Sequence, residues 1–421
     1  MSRYYYRTNG RYRNNINFLA NLFLYDTLVT PIYEIGKGSK AQIIKAFYNA
    51  CSFVEALDVK STLARITREW LKTGVYYGVL QEYGNKVVIQ DLPAEYCRTR
   101  LKDFNNLCIL EFNITYFMTK YEDERIREAA LLNFPPAIQK GWKDYKANKL
   151  PDPWIMVPAS AGGIVFCFAE DATPLLIAAI PELAKMKDAV AREEKRDENE
   201  LYKLLIQKMP TDSDGHLVFE LEEIEQIHAG VAAMLQDLDT VDVLTTLGDA
   251  TLENLQDSSA ANQANNRIEK YSDNAWDALG SSKLFFNADN SSSLAYVIKR
   301  LESIMQDYMN AYSTWIKFLI NSRFSRTGLS FDFEILPITK FNINDYIGYY
   351  LQQAQFGYPR MRVAAAMGVK QRNLVSAIDF ENEFLNLDEK MVPLMSSYTQ
   401  TGDENSNEKN KKSEKNSSGK S

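Results

Sequence analysis

The side chains from which this sequence could build a reactive centre are few, and their spacing does not favour one. There are two histidines, His216 and His228, and four cysteines, Cys51, Cys97, Cys108 and Cys167. No two cysteines make the close pair that zinc sites use, and two histidines give a nucleophile–base–acid triad little to work with. A phosphate-cradling loop needs glycines and a lysine at fixed spacing, which Gly162-Gly163 and Gly280-Ser281-Ser282-Lys283 lack. No Gly-x-Ser-x-Gly elbow occurs, and no calcium loop ends in its spaced glutamate. Both histidines fall in an acidic stretch, where capping or interface packing is the expected role. The sequence thus predicts no catalytic residue, no cofactor site and no metal site, and a chain that is not an enzyme.

The carboxylates are distinctive because of where they lie. From Met209 to Asn266 there is no Lys and no Arg. Twelve Asp and Glu give that stretch a charge of −12 and leave the rest of the chain at +5. Glu220, Glu222, Glu223, Glu225, Asp237, Asp239 and Asp242 belong to it. Solubility is the plain explanation. Against it stands the unevenness, in a chain that has 48 bases elsewhere. Charge this asymmetric acts on partners through its field rather than on the fold.

The elements around these residues alternate between two periods. The first 60 residues read as helical, with Ile16, Leu19, Ala20, Phe23 and Leu24 at helical spacing and Pro31 closing the stretch. Helices follow from Ser39 to Leu57 and from about Ser61, the latter carrying Leu63, Ile66, Trp70 and Leu71 on one face. The period then falls to two. Val75–Leu80 and Lys86–Ile89 flank a Tyr83-Gly84-Asn85 hairpin turn. Further strands are expected at Leu107–Phe112, Trp154–Val157 and Ile164–Phe168, the last two pairing across Ala161-Gly162-Gly163. A helix near Tyr121–Asn133 interrupts them.

After Pro174 a long helix carries Leu175, Leu176, Ala179, Leu183, Met186 and Val190, and runs into the charged Arg192–Glu200. Leu217–Leu221 reads as a strand, Glu223–Leu238 as an amphipathic helix and Val241–Leu247 as a strand, a small β-α-β module. A polar helix spans about Thr251–Leu279. It is so polar all round that other helices or an assembly must hold it. A Ser/Asn-rich loop precedes a helix capped at Ser291–Ser293, with Leu294, Val297, Ile298, Leu301, Ile304, Met305, Tyr308, Tyr312, Trp315, Ile316 and Leu319 on its apolar face. A strand at Leu329–Leu336 and helices at Ile343–Phe356, Arg360–Met367 and Arg372–Leu387 follow. Past Ser396 almost nothing is apolar, and that tail is expected to stay disordered.

Composition narrows the class further. The 24 Tyr and 21 Phe suit either interfaces or large cores. No apolar run approaches the ~20 residues of a membrane span, and the opening MSRYYYRTNGRYRN lacks a signal core, so a cytosolic chain with reduced thiols is expected. One segment suggests a different function. Residues 361–378 read as a helix-turn-helix whose second helix starts with Lys370, Gln371, Arg372 and Asn373, side chains able to read a major groove. A sequence-specific DNA-binding regulator is therefore the alternative.

The order of elements resembles that of tailed-phage portal proteins, in the type found in phages of Gram-positive bacteria. Leu92-Pro93-Ala94-Glu95-Tyr96-Cys97-Arg98 with Leu107–Phe117, Thr339-Lys340-Phe341-Asn342, and Met391–Ser397 with Thr399 are similar to segments of that group. The resemblance implies an α+β, predominantly helical portal fold: wing at 1–172, stem helix at 173–207, clip at 208–249, second stem helix at 250–279, tunnel loop at 280–293, wing helix and strand at 294–341, crown at 342–396 and tail at 397–421. It implies a homo-oligomeric, dodecameric ring at one capsid vertex, through which double-stranded DNA passes without sequence readout. Lys283, Asn287 and Asn290 of the tunnel loop, with Lys299 on the next helix, become the DNA-contact candidates. The acids Glu220, Glu222, Glu223, Glu225, Asp237, Asp239 and Asp242 become candidates for clip docking or an acidic lumen. Implied partners are the terminase large subunit, major capsid and scaffolding proteins, and a head–tail adaptor, with no membrane. The implied location is the virion, and the host cytoplasm during assembly.

Overall fold

The computed structural model describes residues 1–84, 86–168, 172–201, 203–210, 212–214, 216–235, 241–247, 258–280 and 291–386. For 196–201, 203–208, 234–235, 241–247, 258–266 and 291–294 it describes the backbone alone. Helices and strands mix along the chain, an α+β architecture. The chain divides into two compact units. One contains Met1–Tyr25, Ala56–Arg323 and Pro337–Lys340. The other contains Asp26–Glu55, Phe324–Leu336 and the residues from Phe341 onward.

In chain order, α1 (Ser2–Thr8) and α2 (Gly10–Ala20) lead to β1 (Thr27–Tyr33), α3 (Lys40–Ala56) and α4 (Val59–Thr73). The hairpin β2 (Val75–Tyr83) and β3 (Lys86–Asp91) lies where its turn chemistry predicts. Then come β4 (Cys97–Arg98), β5 (Leu110–Asn113), α5 (Tyr116–Lys120), α6 (Glu124–Leu131), α7 (Pro136–Lys146), β6 (Trp154–Val157) and β7 (Gly163–Cys167). A second stretch runs α8 (Ala179–Leu201), β8 (Lys203–Met209), α9 (Leu221–Leu235), β9 (Val241–Leu247) and α10 (Ser258–Ala278). The chain continues as α11 (Ser291–Phe324), β10 (Leu329–Ile335), α12 (Ile343–Gln355), α13 (Arg360–Ala366) and α14 (Gln371–Asp379).

In the first unit, β2 is buried along most of its length because it is covered on both faces. On one side Val75, Tyr77 and Val79 join Leu110, Phe112, Phe117, Phe134 and Trp142 in a single core. That core also holds the sheet β4-β5-β6 and helices α6 and α7. On the other side Tyr76 and Phe166 meet α4 and α11. Trp70 of α4 is the centre of that layer. Its ring lies 5.4 Å from Phe166, 4.4 Å from Tyr308 and 5.8 Å from Tyr312, and it is 1% exposed. A buried hydroxyl chain fixes the same helices. Thr67 donates to or accepts from the Tyr312 hydroxyl at 2.8 Å, and Tyr25 reaches Thr67 at 3.1 Å and the Ala20 carbonyl at 2.8 Å. Burial pushes the Tyr25 phenol up to about 12 and raises that of Tyr312 well above its ordinary value, so both remain protonated donors.

The pairing of β6 with β7 expected across Ala161-Gly162-Gly163 does not occur. β6 joins β5, whereas β7 joins β2. The turn crosses between sheets instead. Gly162 takes φ +89°, and a Cβ on Gly163 would lie 1.9 Å from the Val157 carbonyl oxygen. That close approach needs glycine.

Glu111 of β5 is 1% exposed, yet it accepts from both Arg98 (2.7 Å) and Arg100 (2.9 Å). Burial pushes its carboxyl up, but the hydrogen bonds and charges of the two arginines outweigh it and hold the group below the ordinary carboxylate value. The side chain is thus a structural ion, fastening β4 to β5.

In the second unit, Pro31 does not close a helix; it sits within β1, opposite Phe331 of β10. The strand tolerates it because β1 is an edge. Val29, two residues earlier, has its N–H and C=O turned away from β10. There the Gln371 carboxamide meets both, accepting from Val29 N–H at 2.7 Å and donating to its carbonyl at 3.1 Å. Pro31 shares that orientation, so its missing N–H costs no ladder bond. One side chain from α14 therefore replaces a rung of a third strand.

Candidate functional site

The acidic stretch does build a β-α-β module, but from a different first strand. Lys203–Met209, read from sequence as the end of a long helix, forms β8 and pairs in parallel with β9, from Lys203↔Val241 to Met209↔Leu247. Leu217–Leu221 is not a strand: Leu217 makes an isolated bridge and Leu221 begins α9. The difference lies in the backbone before the helix. Two parallel strands need a crossover, which α9 supplies, while the segment before α9 turns locally: the Val218 amide donates to the Pro210 carbonyl and the Ile224 amide to the Glu220 carbonyl. Leu204-Leu205-Ile206 is also a continuous apolar run, in which helix and strand cannot be told apart by period.

Local chemistry then sets the loop. The Asp212 carboxylate accepts from the amides of Asp214 (3.0 Å) and His216 (2.8 Å), and the Asp212 amide donates to the His216 carbonyl at 2.8 Å. His216 thus closes a turn, with its ring 3.8 Å from the same carboxylate. At the start of α9 the Glu223 carboxylate reaches back to the Glu220 amide at 3.2 Å, one half of a capping box. Glu222 and Glu223 sit in the first turn, where the helix dipole favours negative charge.

Glu220, Glu222, Glu223 and Glu225 are all exposed, within six residues of one another. Beside them Val218 is 57% and Leu221 69% exposed. The strand reading of this segment obscured those apolar side chains. Together they make an exposed acidic cluster with apolar side chains beside it. Asp242 lies in β9 opposite Leu204. Asp237 and Asp239 lie outside the described residues, as do Lys283, Asn287, Asn290 and the tail at 397–421.

Lys299 is exposed on α11, on the face opposite the buried Ile298, Leu301 and Met305. Two neighbours missed from sequence share its face. Tyr296, 77% exposed, precedes it by three residues, and Arg300 is exposed beside it. The spacing at i, i+3 and i+4 was the available signal. The long helix itself follows its predicted stripe, with Met305, Tyr308, Tyr312, Trp315, Ile316 and Leu319 all buried. α8 packs along α10, whose last turns bury Ser272, Ala275 and Trp276. The polar helix therefore keeps one apolar strip at its C-terminal end.

The helix-turn-helix segment is helical as read. Gly368 at φ +77° ends α13, and α14 begins at Gln371. Two of its four expected reading side chains are engaged within the protein: Gln371 on Val29, and Arg372 donating to Ser52 at 2.7 Å. A cavity of about 410 Å³ opens beside Gln371, lined by Pro31, Tyr350, Tyr358, Met361 and Arg362. Burial raises the thiols of Cys51, to about 12, and of Cys97. Among the described residues no three His, Cys, Asp or Glu side chains converge as a metal site would require, and no helix is long and apolar enough to cross a membrane. No protein-family model and no curated protein matches this chain.

Proposed function

We propose that this chain is a portal subunit: one copy of a ring at a capsid vertex through which viral DNA is packaged and ejected. One observation carries the reading. Two helices, α8 and α10, pack together and have a parallel β-α-β module inserted between them, and a helix of 34 residues follows. At 1.5 Å per residue that last helix spans about 50 Å. This is the order that the resemblance implies for stem, clip, stem and wing helix.

The charge pattern supports the same function. An acidic rim repeated around a ring repels DNA phosphates, so that a duplex slides without sticking. On this reading the clip is the dock for the terminase large subunit and later for a head–tail adaptor, while capsid and scaffolding proteins surround the ring. Lys299, with Tyr296 and Arg300, supplies contacts that position DNA without reading its sequence.

Reversing Glu222, Glu223 and Glu225 to lysine tests the docking role. Affinity for the motor or adaptor is expected to fall roughly tenfold or more at low salt, and the deficit should narrow as salt rises. The check is a titration of full-length variant against the isolated partner. Unchanged affinity at every salt would leave the acids with solubility as their only role.

A further inference from the structure

The cavity of about 410 Å³ beside Gln371 lies wholly within the second unit, between β1, α12, α13 and the start of α14. Pro31, Tyr350, Tyr358 and Met361 make its wall largely apolar. Its charge is already paired. Arg362, the charged side chain of the wall, is held by Glu334 and lies 5.6 Å from the Tyr350 ring. The Gln371 carboxamide is spent on Val29. An occupant therefore gains by burying apolar surface rather than by meeting a charge. An apolar cavity of ~150 Å³ holds a benzene ring, so this one has room for about two or three apolar side chains.

An apolar stripe leads out of the cavity along α14. Leu374, Val375 and Ile378 follow Gln371 at i+3, i+4 and i+7, and so share its face. Exposure rises along the stripe: Gln371 is buried, Leu374 and Val375 are half-buried, and Ile378 is 45% exposed. The helix runs on through a π turn at Phe380–Phe384, and Asn386 then takes φ +49°, a left-handed position that ends it. From Gln371 to Phe384 the rise is about 20 Å. A chain turning back at Asn386 regains that distance in about six extended residues, which brings Val392 level with the cavity. Val392 belongs to Met391-Val392-Pro393-Leu394-Met395, the one apolar run past Asn386, and that run carries no charge. It lies outside the described residues.

We propose that residues 391–395 of the same chain return along the Leu374–Ile378 stripe and seat their apolar side chains in the cavity beside Gln371. Occupant and site match in charge, in size and in reach. A proline-containing segment also suits a wall of tyrosines and prolines. The segment docks through its side chains and not as an added strand, because at that edge of β1 Val29 is already paired and Pro31 has no N–H. This does not rest on the portal reading, since it concerns one unit of a single chain.

The test compares the full-length parent with the full-length double variant Met391→Asp, Leu394→Asp. Two readouts are taken: hydrogen exchange of the α12 and α13 amides, and binding of a labelled peptide with the sequence of residues 388–397. A short linker gives an effective concentration on the order of 1 mM, so a segment whose free peptide binds with a Kd of about 0.1 mM is docked about 90% of the time and slows exchange of the amides it covers about tenfold. The double variant is expected to lose that protection and to bind the added peptide, while the parent, already occupied, does not. Tyr358→Ala, at a wall residue 60% exposed, is then added to the double variant and should weaken peptide binding several-fold. Equal exchange in parent and double variant overturns the proposal. So does peptide binding that is the same in both, because the cavity would then stand open in the parent. Loss of protection without peptide binding overturns it too, since the substitutions would then act elsewhere. Particle mass is followed during dilution. Protection that disappears as the mass falls would assign the segment to a neighbouring copy and overturn docking within one chain.

Discussion

Truncating Trp70 to alanine is expected to destabilise the first unit by about 3–5 kcal/mol, the usual cost of emptying a large aromatic site that cannot collapse. The site cannot collapse because its walls belong to three elements. Phe166 stacks from β7, Tyr308 and Tyr312 press in from α11, and the indole N–H donates to the Gly74 carbonyl at 3.1 Å. Those aromatic contacts add to the area lost, at about 0.5–1.5 kcal/mol per pair. The two units need not unfold together, so a single global transition is the wrong measure. Hydrogen exchange of the α11 amides around Tyr308 and Tyr312 reads the effect locally. Trp70→Phe should lose markedly less protection than Trp70→Ala. Equal protection in parent and alanine variant would mean that α11 is held by something other than this layer.

Gln371→Leu is expected to cost about 2–5 kcal/mol in the second unit, because it strands two covered backbone groups at once. Val29 is 2% exposed, and its N–H and C=O both end on the Gln371 carboxamide. Leucine fills the space and pairs neither. Gln371→Glu separates packing from pairing. A carboxylate still accepts from the Val29 N–H but opposes the carbonyl, so this variant is weak at neutral pH. The buried carboxyl has its pKa raised, and stability should return as pH falls and the proton restores a donor. Exchange of the Val29 amide follows both variants. If Gln371→Leu exchanges like the parent, the β1 edge is covered in another way.

These two side chains differ in how far they could be read from sequence. Trp70 is on a stripe with Leu63, Ile66 and Leu71, and the stripe alone places it inside. Gln371 has no such signal, since its partner lies 342 positions away and only the folded edge of β1 creates the need. The same contrast runs through the fold. The β2–β3 hairpin and the buried stripe of α11 repeat locally, so spacing reveals them. The strand at Lys203–Met209 pairs with residues across an intervening helix, and a short apolar run beside a charged helix has no period of its own. β6 pairs with β5 and β7 with β2, partners more than 40 and 80 positions away, which no local pattern records. Of the candidate site, the acids were legible as composition. Their placement at one helix start, beside Val218 and Leu221, was not, because that segment alternates like a strand while its backbone turns.

One measurement bears on the portal reading more directly than any substitution. Purified full-length chain, examined by native mass spectrometry and negative-stain imaging over a range of salt, is predicted to form closed rings with a central hole and a dodecameric mass. A strictly monomeric species at every salt concentration would contradict it.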